Sequence, residues 1–224
     1  METSQINLAA IPDQAIKVIT TPVAFFRSMA KTGGLLDPLI FVIVIAVVNG
    51  LLQSLGFFIG VHPMFGAGMA FASVIIAPIF AALFSFIGAG ILYVIWKLMG
   101  STQNYETAYR CLAYISAITP ITTLLGFVPY LHLVGLVWML YLLVIASVEV
   151  HSITAKAAWI VFGILTALLA LFQISAYQTA RQMGQSGEAM QRNMGEFSPQ
   201  MEQMQKQIEE EMKKHPPQPE QQTE

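Results

Sequence analysis

The stretch Leu39-Ile40-Phe41-Val42-Ile43-Val44-Ile45-Ala46-Val47-Val48-Asn49-Gly50-Leu51-Leu52 decides the class of fold. It carries no charge, and the uncharged run continues as far as Trp96. A bilayer core takes about 20 apolar residues per helix, so a run of this length belongs in a membrane. The whole chain agrees: 55% of its 224 residues are hydrophobic, 11% are charged, and mean hydropathy is +0.62. Soluble domains carry roughly 25% charged residues, and a globule this apolar would expose large adhesive patches. Charges are also segregated, with six in residues 1–37, five in 38–177 and thirteen in 178–224. The middle block is a membrane domain.

Five segments are long and apolar enough to span: about Leu39 to Gly60, Phe71 to Met99, Thr107 to Val128, Leu131 to Val150 and Ala155 to Tyr177. Backbone groups in lipid must pair within their own segment, so these are helices. Pro78 lies inside the second segment and Thr119-Pro120 breaks the third. The connection Pro129-Tyr130 is so short that the third and fourth spans form a hairpin. The fold class is therefore all-α, a polytopic integral membrane protein with five transmembrane helices. Its parts are an N-terminal segment, 1–38, a five-helix membrane domain, 39–177, and a polar tail, 178–224.

Lys17, Arg27, Lys31, Lys97, Arg110 and Lys156 fall on one side of this arrangement, and the opposite loops contain no Lys or Arg. Basic residues mark the cytoplasmic side, which places the N-terminus inside and the C-terminus outside. Arg181 and Arg192 in the tail pull the other way. The first apolar run comes too late for a cleaved signal peptide.

At the N-terminal end, Thr21-Pro22 reads as an N-cap followed by proline in the first turn. Val23, Phe26 and Met29 then share one face, and Arg27 and Lys31 lie on another. This pattern suits either a short helix in the headgroup region or a cap packed on the bundle. In the tail, rich in Gln, Glu and Met, Ser198-Pro199 reads as a helix start and Pro216-Pro217 as a stop. Met201, Met204, Ile208 and Met212 form a stripe on the candidate helix 199–214, within an otherwise disordered tail. Methionine stripes adapt to varied partner surfaces.

Ionisable groups within a membrane are costly and point to function, and none falls at a span centre here. Glu106 and Arg110 are one turn apart at the start of the third span, and Glu149 lies beside His151 and near Lys156. These spacings fit ion pairs at the cytoplasmic rim. Asn49 and Gln53 are one turn apart in the first span, positioned to bond a neighbouring helix. Ala81, Ser85 and Ala89 form a small-residue stripe suited to close helix packing.

No nucleophile, phosphate-loop or metalloprotease motif occurs, and no catalytic residue, cofactor or metal site is assigned. His62 and His132 in the outer connections lack the further ligands zinc takes. The net charge of -2 and pI near 6.1 argue against nucleic-acid binding, which needs a basic stripe. The single cysteine, Cys111, forms no internal disulfide.

Three stretches together resemble the Yip1 family: Pro22, Phe25-Phe26, Gly33-Gly34 and Pro38 before the first span; Ala108-Tyr109-Arg110-Cys111-Leu112-Ala113-Tyr114-Ile115-Ser116 with Pro120 after it; and Glu149-Val150-His151-Ser152-Ile153-Thr154-Ala155-Lys156-Ala157 before the last span. The resemblance covers roughly residues 15–175. It implies a small five-span membrane protein with a cytoplasmic N-terminus. Eukaryotic members act in vesicle traffic. With about 38 residues before its first span, this chain is similar instead to the short prokaryotic members, which implies the cell inner (plasma) membrane. The resemblance brings no catalytic or ligand residues.

Two functions fit these readings. One is a non-enzymatic scaffold or adaptor in the lipid bilayer, whose partner is a second copy or another membrane protein. The other is a transporter or channel component using polar groups between spans, since proline-interrupted helices build transport sites.

Overall fold

The computed structural model describes residues 8–58, 67–128 and 130–214. Every regular element among them is helical. Two short helices come first, α1 (Ile11–Thr20) and α2 (Pro22–Ser28), each with proline in its first turn. In α1, Ile11, Ala15 and Val18 repeat at helical spacing, and both Ile11 and Val18 are buried. In α2, Phe26 is fully buried. Helix α2 packs on the helix that ends at Glu149, and α1 packs beside residues 105–118. Of the two placements the sequence allows, these contacts are those of a cap packed on the bundle. Thr21 does not cap α2 through its side chain; its hydroxyl donates back to the Lys17 carbonyl at 3.2 Å.

Four helices among the described residues are long and apolar enough to cross a bilayer. These are α3 (Leu36–Phe58), α4 (Ala67–Leu98), α7 (His132–Glu149) and the apolar part, Ala155–Gly184, of α8 (Ala155–Lys214). The third expected span is different. It consists of α5 (Tyr105–Ile115), a 3₁₀ turn over Ser116–Ile118, and α6 (Thr119–Gly126). Pro120 has no N–H for the Ser116 carbonyl, and the chain answers by tightening the turn before it. By contrast α4 runs unbroken through Pro78.

Helix α4 leaves Ile75, Ile79, Leu83, Ile87 and Ile91 about half exposed or more. Such a surface suits hydrocarbon, where packing between helices falls to small residues. Ser85 and Ala89 of the expected small-residue stripe are buried. Where α3 meets α4, a Cβ on Gly50 would stand 2.9 Å from the Ser73 carbonyl oxygen, so only glycine permits this approach.

The best-buried core lies at one end of the bundle. Phe26, Trp96, Leu142, Val150, Ala158 and Phe162 are all at most 1% exposed. That end gathers the chain before α3, the α4–α5 connection and the α7–α8 connection, which bond to one another. The chain divides into two units, Met1–Leu171 and Phe172–Glu224. Helix α8 continues past Tyr177, the expected end of the last span, and Ser198-Pro199 lies within it rather than at a start.

Candidate functional site

The polar residues picked out by sequence gather where the three connections meet. Gly33 and Gly34 turn the chain into α3 with φ of 122° and 89°, a left-handed conformation that favours glycine. Residues from α5 hold this turn. The Gly34 N–H donates to Glu106 Oε1 at 2.6 Å, and Arg110 Nη2 donates to the Gly34 carbonyl at 2.7 Å. Arg110 is 96% buried by its 4% exposure, and its Nε lies 3.5 Å from Glu106 Oε1 without a hydrogen bond. The expected Glu106–Arg110 pair is thus present, and both members also grip the backbone of the N-terminal segment. Asn104 caps α5 by accepting from the Thr107 N–H at 2.9 Å, while the Thr107 hydroxyl sits 3.0 Å from the Lys31 carbonyl.

Glu149 pairs differently from its sequence neighbourhood. It accepts two bonds from Arg27, at 2.9 and 3.1 Å, across 122 residues of chain. This bidentate geometry is the strong form of a carboxylate–guanidinium pair. The Glu149 hydrogen bonds raise the Arg27 pKa. Lys31 Nζ donates to the Val150 carbonyl at 3.3 Å. Lys156 is exposed at the start of α8.

His151 turns inward. Its ring stacks on Trp96 with centroids 3.9 Å apart, and its Nδ1 is 2.8 Å from the Ser101 hydroxyl. Its Nε2 is 3.8 Å from Cys111 Sγ. Trp96 in turn donates from Nε1 to the Ser147 hydroxyl at 2.8 Å, and that hydroxyl donates to the Leu143 carbonyl. Burial first, then the nearby Lys31 and Lys97, lower the His151 pKa to about 4, so the imidazole is neutral. Among the described residues no three His, Cys, Asp or Glu side chains are placed to hold a metal ion.

Deeper in the bundle, Asn49 accepts a hydrogen bond from Thr123 of α6, and Ser85 pairs with the Tyr109 hydroxyl at 3.1 Å. Gln53 is half-buried one turn beyond Asn49. A cavity of about 320 Å³ lies among α3, α4, α5 to α6 and α7. Its lining is mostly apolar, with Asn49, Ser85, Ser116 and Thr119 the polar members. In the tail, Met201, Met204 and Ile208 are exposed on α8. Met212 lies on the same helix with its side chain outside the described residues, as are His62 and His215.

Sequence reasoning did not single out Lys31, Gly34, Thr107, Ser101, Trp96 and Ser147 as partners. The Asn104–Thr107 cap had a local signature. Trp96–Ser147 and Ser101–His151 join positions 51 and 50 residues apart and have none. A family model described as the Yip1 domain matches residues 16–177. No curated protein and no solved structure matches the chain.

Proposed function

The chain belongs to the Yip1 family, and on that premise we propose that it is a non-enzymatic membrane scaffold or adaptor. It acts through contacts between helices and through its polar ends. One observation carries this reading: Glu106, Arg110, Glu149 and His151 are spent on joining the chain to itself. Glu106 and Arg110 hold Gly34, Glu149 holds Arg27, and His151 is stacked and bonded in the core. A catalytic group must instead be free to meet a substrate.

The same contacts support five crossings. The N-terminal segment, the start of α5, the end of α4 and the end of α7 bond at one end of the bundle. Helices α5 and α6 must therefore carry the chain away from that end for α7 to bring it back. The bend at Pro120 makes this crossing shorter in its helices without altering the count. Lys17, Arg27, Lys31, Lys97, Arg110 and Lys156 belong to that end, which makes it the cytoplasmic one in the cell inner membrane.

The test is chemical crosslinking of native membranes, read by mass spectrometry, with the tail after Gln178 intact or deleted. Recovery of the chain itself or of one defined membrane protein, lost on deletion, is expected. No specific crosslink in either form would overturn the reading. The cavity beside Asn49 favours a second reading, a small-solute pathway. That reading requires flux that Asn49→Leu abolishes without loss of folded protein.

A further inference from the structure

Read in sevens, three of the four residues of the tail stripe lie on a seam that extends back along helix α8, while Met212 falls at an e position outside it. With Met201 at position a of a heptad, Met204 falls at d and Ile208 at the next a. Counting back along the helix, Met183, Met190 and Phe197 take d positions and Met194 takes an a position. Only Gly187 interrupts this seam between Met183 and Ile208. The described seam side chains are open: Met183, Met201, Met204 and Ile208 are between 51% and 71% exposed. A seam repeating every 3.5 residues is the pattern by which two helices supercoil around each other.

Charge placement says what kind of partner fits. Between Met183 and Glu210 the charged residues are Glu188, Arg192, Glu196, Glu202, Lys206, Glu209 and Glu210. In this register every one takes an outer position, b, c or f. The flanking e and g positions hold only Gly, Ser, Gln and Asn, as at Gln200, Gln205 and Gln207. Charges at e and g set partner choice and orientation in coiled coils. Their absence leaves two identical helices free to pair without like-charge repulsion. The outer face has five acidic and two basic residues, which disfavours the anionic membrane surface that basic amphipathic helices seek. Gly184, Gly187, Gly195 and Pro199 weaken the helix in isolation, so burial of the seam has to help hold it. Pro199 takes an outer f position, away from the seam.

We infer that residues 183–208 form a parallel, in-register coiled coil with the same residues of a second copy of this chain. Parallel pairing follows from the membrane: two copies inserted alike send their tails out on the same side. The inference rests on the scaffold reading and gives it a partner.

The test places single cysteines in the full-length protein in native membranes. Cys111 is fully buried and stays in place as a non-reacting thiol. Met201→Cys, Met204→Cys and Ile208→Cys should give a disulfide dimer on mild oxidation. Glu202→Cys, Lys206→Cys and Glu209→Cys, on the outer face, should remain monomeric. Adding Ile208→Lys should abolish the Met204→Cys dimer while the monomer persists in the membrane. Equal dimer at seam and outer positions, no dimer at any position, or a mixed disulfide with a different protein would each overturn the inference. In the last case the scaffold reading would survive, because the mass-spectrometric crosslinks would still be lost with the tail.

Discussion

Arg110 reaches across 76 residues of chain to donate to the carbonyl of Gly34 at 2.7 Å. The bond ties the glycine turn that leads into α3 to the middle of α5. It places a buried guanidinium against the two glycines that steer the chain into α3.

That placement separates two neighbouring substitutions. A Cβ on Gly34 meets nothing within 4 Å, so Gly34→Ala suffers only from its positive φ, about 1–2 kcal/mol. Gly33, at φ 122°, has the same backbone strain, and a Cβ there would also stand 3.1 Å from Arg110 Nη2, which must give by a few tenths of an ångström and stretch its 2.7 Å bond to Gly34. Thermal unfolding in detergent should therefore rank wild type above Gly34→Ala, and Gly34→Ala above Gly33→Ala. Equal losses for the two variants would mean that Arg110 does not restrain the turn.

A similar contrast tests the α3–α4 contact. Gly50→Ala must push α3 off the Ser73 backbone at a cost of about 1–3 kcal/mol, the usual range for overpacking. Gly163→Ala in α8 adds a methyl into open space and should be neutral or slightly stabilising. Retention of folded protein through a heating series, followed by size-exclusion chromatography, reads both.

Asn49 and Thr123 are expected to couple. A hydrogen bond between membrane helices contributes about 0.6 kcal/mol on average. Asn49→Leu and Thr123→Val should each cost around that much, and the double variant should cost little more than either alone. Strict additivity would show that the two residues do not interact.

Stability should also depend on pH through His151. Its folded pKa of about 4 is below the ordinary 6.5, so the unfolded chain binds the proton more readily. Stability is then full above pH 6.5, falls as pH drops from there, and levels off below about 4. Carboxylates remain ionised down to about pH 5, so the upper part of that window isolates the histidine. His151→Gln should flatten the decline there, measured as the midpoint of thermal unfolding. An unchanged slope in the variant would assign the decline to other groups.

Much of this architecture was legible in residue type and spacing alone. Runs such as Leu39–Leu52 specify bilayer helices because burial in hydrocarbon leaves little choice of structure. Glu106 and Arg110 were legible as a pair because one helical turn separates them. Helix α1 carried a readable signal in Pro12 and in the Ile11, Ala15, Val18 spacing, yet it is short and polar enough to resemble a linker. The distant partners of Glu149 and His151 were not legible. Near neighbours in sequence, Lys156 among them, compete with distant residues for such groups, and only the packed bundle decides. The tightened turn at Ser116–Ile118 was legible only as a break at Pro120.

The bond between Arg27 and Glu149 also imposes an order on biogenesis. Phe26 and Val18 are made early, but α7, on which α2 packs, arrives more than a hundred residues later. Until ribosomes deliver that helix, the apolar face of α2 lacks its α7 partner. A product truncated before α7 lacks both that packing and the Glu149 bond to Arg27. Closure of the cap thus reports that the chain has been made as far as Glu149, and pulse-labelled truncations ending on either side of α7 should differ sharply in half-life.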